Sequence, residues 1–525
     1  MISHKYFGFL LAVFSGFLLN LIFPRWEGDI LAWVALIPLL VALRGSGSIR
    51  RSFLLGLACG FVYFAGSCFW ITNTMVNYGG LPLPLSAAVL FLLALYLALY
   101  VGAFSALFHF FLQRGGVLAA LLLAPFAWTF LEFCRTHLFT GFPWNLLGYS
   151  QYRQSLVIQM ADLTGVYGVS FFICHVNAFF YFCGQTLLAA WRRVPIPGIG
   201  KRESPIYCAL TLLLFFAVIL HGNSALSRFS QAEAEDPIRV SMAQGNISQD
   251  KKWDPEFRDQ VLEIYKDLTL DAAKDGLDLA VWPETAVPFF YNMDRENAAR
   301  VEAVAREAGT HLLIGSPSLK RVEDANRLRN SAYFISREGE VLGRYDKVKL
   351  VPFGEYVPLG KLLWFVEKMV VGIGDFLPGE APVILEHPKG PFGVLICFEI
   401  IFPHLARWNV MEGARFLVNI TNDAWFGESA GPYQHLSQSV FRAVENRVPI
   451  LRSANTGISA VVNQAGEIES ATELFTREIL NGTITPHRGI PSFYSREGDL
   501  FSWLCGGAIL AAAVICLRPR RKSPW

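Results

Sequence analysis

Seven apolar runs fill the first 221 residues, and an eighth follows at 500–517. A helix that crosses a hydrocarbon core needs roughly 20 apolar residues. The runs at 6–24, 29–44, 53–72, 84–110, 115–133, 164–187, 205–221 and 500–517 are the candidates. Those at 29–44 and 205–221 are short, and the one at 84–110 is long enough to tilt. The chain is 53% hydrophobic and only 17% charged, with the apolar excess concentrated in these runs. Lys5 ahead of the first run has the look of a signal peptide. However, Asn20, Phe23, Pro24, Arg25 and Trp26 offer no small-x-small cleavage site, so that run is expected to stay as an anchor.

The charges between the runs set an orientation. Arg44, Arg50 and Arg51 lie between the second and third runs, and Arg114 between the fourth and fifth. Arg192, Arg193, Lys201 and Arg202 separate the sixth and seventh, and Arg518, Arg520, Arg521 and Lys522 follow the eighth. The loop "NTMVNYGGLPLP" between the third and fourth carries no charge. The positive-inside rule places both termini in the cytoplasm, and seven crossings then deliver residues 222–497 to the opposite, periplasmic face. The expected organisation is a membrane domain over 1–221, an outer domain over 222–497, and a last span with a basic tail over 498–525. The loop 134–163, rich in Gly, Pro and aromatic residues, suits either a re-entrant segment that floors a lipid site or an ordinary aromatic belt. A net charge of +2 gives no reason to expect nucleic acid.

The outer domain alternates short apolar strands with helical stretches. "IRVSMAQGN", "DLAVWPE", "HLLIGSP", "RNSAYFIS", "PFGVLICFE", "ARFLVNIT", "PILRSANTG" and "ISAVVNQAG" read as strands, and "DPEFRDQVLEIYKDLTLDAAK" and "ENAARVEAVAREAG" have helical periodicity. An α/β domain with helix-covered sheets follows. Several strands end on polar residues: Glu284, Glu399, Asn422 and Asp423. Ligands in such folds gather at strand ends.

Of nine cysteines, eight lie in or beside the apolar runs. Cys397 alone belongs to the outer domain, so no internal disulfide is open to it. It is either an inert buried thiol or a nucleophile. Attack on a carbonyl requires a base for the thiol proton and a donor for the developing oxyanion. His404 is near in sequence, while Glu284 stands behind Trp282-Pro283, where aromatic cover would raise its pKa toward the working range. Lys347 offers positive charge, and Glu355 and Glu399 offer carboxylates to orient it. No CxxC or HExxH array and no GxxxxGK[ST] loop is present, so neither a metal nor a nucleotide cofactor is expected.

"WPE" at 282–284, "YDKVKLVPFGEYVP" at 345–358, "LICFEI" at 395–400 and "NITNDAWFG" at 419–427 form an ordered Glu, Lys, Cys pattern. The segment 238–485 thereby resembles the nitrilase, or carbon–nitrogen hydrolase, superfamily. With eight spans around it, the whole chain resembles the bacterial apolipoprotein N-acyltransferase family. The resemblance implies an αββα sandwich joined to a multi-span helical domain. It makes Glu284 the general base, Lys347 the electrostatic stabiliser and Cys397 the nucleophile. Glu355, Glu399, Phe398, Trp253 and Asn330 match supporting positions, with Phe398 standing where Tyr is common.

The implied reaction has two steps. Cys397 takes the sn-1 acyl chain of a phospholipid, preferably phosphatidylethanolamine, as a thioester. The α-amine of an S-diacylglyceryl cysteine at an apolipoprotein N-terminus then receives it. The expected enzyme is a monomer in the bacterial inner membrane. Residues 358–380 are apolar for an external segment, with Leu362, Trp364, Phe365 and Met369 among them. They make either a core-facing helix or a lid that dips into the bilayer, hinged near Gly372 and Gly374. Phe289 and Phe290 are candidates to line the acyl channel. A membrane-anchored hydrolase would use the same residues. A transporter would need charges at mid-span, and Glu132, His109 and His175 are the few polar residues of note there.

Overall fold

The computed structural model describes residues 4–193, 203–230, 236–252, 254–322, 325–356 and 376–518. Its contacts divide the chain into two units. One holds the residues up to Phe69, Pro84–Ser224 and those from Glu497 on; the other holds Trp70–Leu83 and Ala225–Arg496.

The first unit is helical. Among the described residues, five helices are long and apolar enough to cross a membrane: Ile49–Ser67, Leu83–His137, Val166–Arg192, Glu203–Phe229 and Leu500–Leu517, with Tyr6–Leu21 a shorter apolar helix. Leu83–His137 contains two of the expected spans. Its backbone breaks at Gly116, where φ is 86° and ψ −179°, a conformation open to a residue without Cβ. The run at 29–44 is not one helix but a 3-10 turn, Asp29–Trp33, followed by the helix Ile37–Arg44. Pro38 in its first turn has no N–H to continue a helix backwards. The side chain of Asn177 takes up the freed backbone, accepting from Leu36 N at 2.9 Å and donating to Ala32 O at 2.7 Å.

After exposed Leu138 and Phe139 the loop turns inward and is buried within this unit, with Trp144, Leu146, Leu147 and Tyr149 fully covered. Irregular backbone at such a place needs internal partners. Glu132 Oε1 accepts from Leu147 N at 2.7 Å, and Arg135 donates to Trp144 O at 2.8 Å. His109 Nδ1 lies 3.0 Å from Ser46 Oγ, and His175 Nε2 3.0 Å from Thr211 Oγ1. These polar side chains stitch helices and loops together.

The second unit is built on two six-stranded sheets. Its strands are β1 (Ile238–Gln244), β2 (Leu279–Val281), β3 (His311–Val322), β4 (Ala325–Ile335), β5 (Val341–Asp346), β6 (Ile384–His387), β7 (Gly390–Ile396), β8 (Phe416–Thr421), β9 (Ile450–Ala454), β10 (Ala460–Val462), β11 (Ile468–Ala471) and β12 (Glu478–Ile484). One sheet runs β12-β1-β2-β3-β4-β5 and the other β11-β10-β9-β8-β7-β6. Side chains alternate across each strand, so each sheet has two apolar faces. Val240, Met242, Leu279, Val281, Leu313 and Phe334 meet Phe392, Val394, Ile396, Val418 and Ile420 between the sheets. Ala243, Ala280, Leu312, Ile314 and Tyr333 point the other way, onto the helices Arg258–Ala273 and Arg295–Ala308. Pro403–Met411 and Gly431–Asn446 pack on the other sheet. The result is the αββα sandwich of a nitrilase-type domain.

Trp70–Leu83 belongs to this second unit. Thr74 Oγ1 donates to Trp425 O at 2.8 Å, and Trp70 packs edge-on against Phe426 with ring centres 4.6 Å apart.

Candidate active site

The chemistry-bearing residues follow the ends of central strands. Three residues after β2 the chain reaches Glu284, β5 runs into Lys347, β7 into Cys397, and β8 into Asn422. β7 and β8 are parallel, with Ile396 opposite Ile420, so Cys397 and Asn422 leave the sheet at the same edge. Gly315 in β3 lets the Glu284 turn lie against the sheet. A Cβ there would stand 2.4 Å from Pro283 O and 2.7 Å from Glu284 Cα.

Cys397 has a φ of 53°, in the left-handed region that an L-residue enters only when its surroundings impose it. A 3-10 turn, Cys397–Ile401, follows at once. Glu399 pins that turn: Oε2 accepts from Ile396 N at 2.7 Å, and Oε1 from Val348 N at 2.7 Å and Lys349 N at 2.9 Å. Tyr345 OH, on the other sheet, reaches both oxygens at 2.8 Å. Glu399 thus ties the Cys397 turn to the Lys347 segment. Burial pushes its carboxyl up to about 7, against the opposing pull of the Ile396 and Lys349 amides.

Lys347 Nζ sits 2.9 Å from Glu355 Oε1 and 3.7 Å from Glu284 Oε1, and its side chain is 1% exposed. Burial alone would lower its pKa, but Glu355 and Glu284 outweigh it and hold the ammonium well above the usual lysine range. Asn330 Nδ2 bridges the two carboxylates, 2.7 Å from Glu284 Oε1 and 3.1 Å from Glu355 Oε1. Asn422 N donates to Glu284 Oε2 at 2.9 Å, and Val351 N to Glu355 Oε2 at 2.8 Å. The Cys397 thiol is raised far above the ordinary cysteine value, first by burial and then by the Glu284 charge, with Lys347 opposing. At rest the site therefore sets a protonated thiol near Glu284 and a fixed cation.

The fold brings Glu284, Lys347, Glu355, Glu399, Asn330 and Cys397 together. Phe398 is half-buried and packs edge-on against Phe402 at 5.2 Å. Three side chains near the motifs take other places. The Trp282 ring stacks on Tyr265 and donates to Thr269 Oγ1 at 2.8 Å, so it serves the helix–sheet layer. Phe289, expected in an acyl channel, packs in that same layer with Ala286, Val287 and Tyr291, because the turn after Glu284 folds back over β3; Phe290 is half-buried. His404 faces the Phe402 ring, and the imidazole that reaches Cys397 is that of His435. Trp253 and the proposed lid, with Leu362, Trp364, Phe365 and Met369, lie outside the described residues.

Two further groups had no motif to announce them. Lys252 is buried, donates from Nζ to Glu284 O at 3.1 Å, and is lowered by burial to about 8. His435 and Arg452 join Asp423 in a buried cluster behind Cys397. Gln249, which accepts from Asn422 Nδ2 at 2.8 Å, also lines a cavity of about 820 Å³ with Asn77, Tyr78, Asn246, Trp425 and Phe475. Among the described residues no group of three or more His, Cys, Asp or Glu side chains is arranged to hold a metal ion.

Two family models match the chain: the apolipoprotein N-acyltransferase N-terminal domain over residues 15–179 and carbon-nitrogen hydrolase over 239–490. An apolipoprotein N-acyltransferase of Geobacter metallireducens is 45% identical over 520 residues, covering 98% of this chain and 96% of that protein. The chain belongs to the apolipoprotein N-acyltransferase family. The relative from Methylococcus capsulatus is 34% identical, again over 98% of this chain and 96% of its own length. An amidase from Nesterenkonia sp. of known structure aligns at 22% identity and a TM-score of 0.38, over 50% of this chain and 94% of that one. The family, together with five membrane-length apolar helices, makes this a membrane protein.

Proposed function

We propose that the protein moves the sn-1 acyl chain of a phospholipid through a thioester on Cys397 to the α-amine of an S-diacylglyceryl cysteine at the N-terminus of an apolipoprotein. The observation that carries this reading is the buried Cys397–Glu284–Lys347 group in a chain of this family. A thiol raised by burial is protonated and cannot attack unaided, so a base must act in the same step. Glu284 accepts the thiol proton as sulfur bonds to the ester carbon. Lys347, charged and fixed by Glu355, faces the negative charge that develops on the carbonyl oxygen. Collapse breaks the ester C–O bond, and the proton on Glu284 passes to the leaving lysophospholipid. In the second half the amine attacks the thioester carbon, gives a proton to Glu284, and the C–S bond breaks to an amide and a restored thiol.

Asn330 and Asn422 N hold Glu284 on both oxygens, which fixes the base without neutralising it. The amides and rings lining the cavity beside Gln249 suit the backbone of the acceptor peptide. In this reading the catalytic unit faces the periplasm and both termini the cytoplasm. The uncharged loop that charge counting puts outside is part of the catalytic unit, which supports that orientation.

Mass spectrometry of the purified protein with phosphatidylethanolamine micelles tests the reaction. A palmitoyl-sized adduct on Cys397 is expected, discharged on adding a diacylglyceryl peptide whose amine becomes acylated. C397A carries no adduct. An adduct lost only to water, with no acyl peptide formed, would sink the transferase reading in favour of a hydrolase.

A further inference from the structure

His435 is fully buried on the helix Gly431–Asn446, and its ring fills the space behind the nucleophile turn. Nε2 lies 3.2 Å from Cys397 O. A carbonyl oxygen can only accept, so Nε2 carries the proton. Nδ1 lies 3.0 Å from Asp423 Oδ1 and 3.0 Å from Arg452 Nη2. Whichever of these Nδ1 pairs with, the assignment of Nε2 stands. The ring is itself held. Arg452 Nη2 donates to Asp423 Oδ2 at 2.6 Å, Thr421 Oγ1 donates to Asp423 Oδ1 at 2.9 Å, and the Phe426 ring meets the imidazole edge-on. Arg452 and Asp423 are fully buried. From β8, Asn419 Nδ2 donates to Leu395 O at 2.9 Å and lies 3.5 Å from Cys397 O.

The cluster therefore grips the carbonyl of a residue whose φ is 53°. A left-handed residue turns its carbonyl out of the direction of the preceding strand, and a buried carbonyl needs a donor where it points. Strand β7 cannot supply one beyond Ile396; the imidazole does.

We propose that His435 is a positioning residue for the acyl-transfer reaction: its Nε2–H, anchored by Asp423 and Arg452, locks Cys397 in the conformation that presents the thiol to the ester. It touches no reacting atom and acts through the Cys397 backbone. The proposal rests on Cys397 being the nucleophile.

Two substitutions separate positioning from packing. In His435→Gln the amide nitrogen takes the place of Nε2 and still reaches Cys397 O. In His435→Asn the shorter side chain reaches the place of Nδ1, keeping the Asp423 side and losing Cys397. The full-length protein is incubated with phosphatidylethanolamine micelles, and acyl adduct on Cys397 is timed by mass spectrometry beside the thermal midpoint. H435Q is expected to acylate within about threefold of the wild type. H435N is expected to fall about 100-fold in maximal rate, the scale of a misplaced reacting group, with the half-saturating lipid concentration and the thermal midpoint close to those of H435Q. Wild-type acylation by H435N, an equal fall in both variants, or loss of the folded protein in both would each overturn the proposal. A wild-type protein that carries its acyl group on another residue overturns the nucleophile assignment, and this proposal with it.

Discussion

Lys347 is the residue on which the buried Glu284 carboxylate and the half-buried Glu355 carboxylate depend. Removing one partner of a buried ionic group strands the other, at a cost of about 3–5 kcal/mol. Lys347→Met is therefore expected to lower both stability and acylation. Denaturant unfolding of the purified protein checks the first, and adduct formation on Cys397, expected to fall by at least about 100-fold, checks the second. Glu399 carries the pH dependence. Its carboxyl is moved by burial from 4.5 to about 7, so between those values the folded state keeps a proton that the unfolded chain has lost. Stability from this group is full below about 4.5 and declines as pH rises to about 7. Glu399→Gln is expected to flatten that slope in a plot of thermal midpoint against pH. Glu284, Lys347 and Cys397 could be read from the sequence because each sits in a short motif at a strand end. His435 could not: it lies 38 positions from Cys397, in an amphipathic helix, with only the fold to bring it there.

At the scale of elements, the turn after β2 is the part most sensitive to shape. Its close approach to Gly315 leaves no room for a side chain. Gly315→Val is expected to displace Glu284 and cut the acylation rate about 100-fold, while far-UV circular dichroism stays unchanged. Strands β2 and β7 were legible because apolar residues on both faces made continuous short runs bounded by polar ends. The run at 29–44 misleads for the same reason: hydrophobicity alone cannot tell a continuous helix from two short pieces. The break lies at Pro38 and is completed by Asn177, 141 positions from Leu36. Trp282 and Phe289 show a similar limit. Both are apolar and lie within five positions of Glu284, yet the chain leaving β2 and the turn that folds back over β3 carry them to the helix layer.

For the whole molecule, the orientation proposed above is open to direct labelling. Lys274 is exposed on the catalytic unit, and Arg114 is exposed beside the Gly116 break in Leu83–His137, where charge counting puts the cytoplasm. In spheroplasts, a membrane-impermeant maleimide is expected to label Lys274→Cys, while Arg114→Cys reacts only after lysis; the reverse pattern would invert the topology. Composition marks the long apolar runs of the helical unit off from the mixed sequence of the sheet unit. It does not mark Trp70–Leu83, which joins the sheet unit through contacts made by chain far downstream.

That strip has a consequence for biosynthesis. Thr74 and the Trp425 carbonyl it bonds are 351 positions apart. At roughly 5–20 residues per second, a ribosome separates them by about 18–70 s. Through that interval Trp70 and Tyr78 wait without the aromatic rings they will pack against. The turn carrying Asp423 and Phe426 is made long after the strip it closes onto, which is the first part of its unit to leave the ribosome. Completion of the catalytic unit thus joins two stretches of chain made far apart in time.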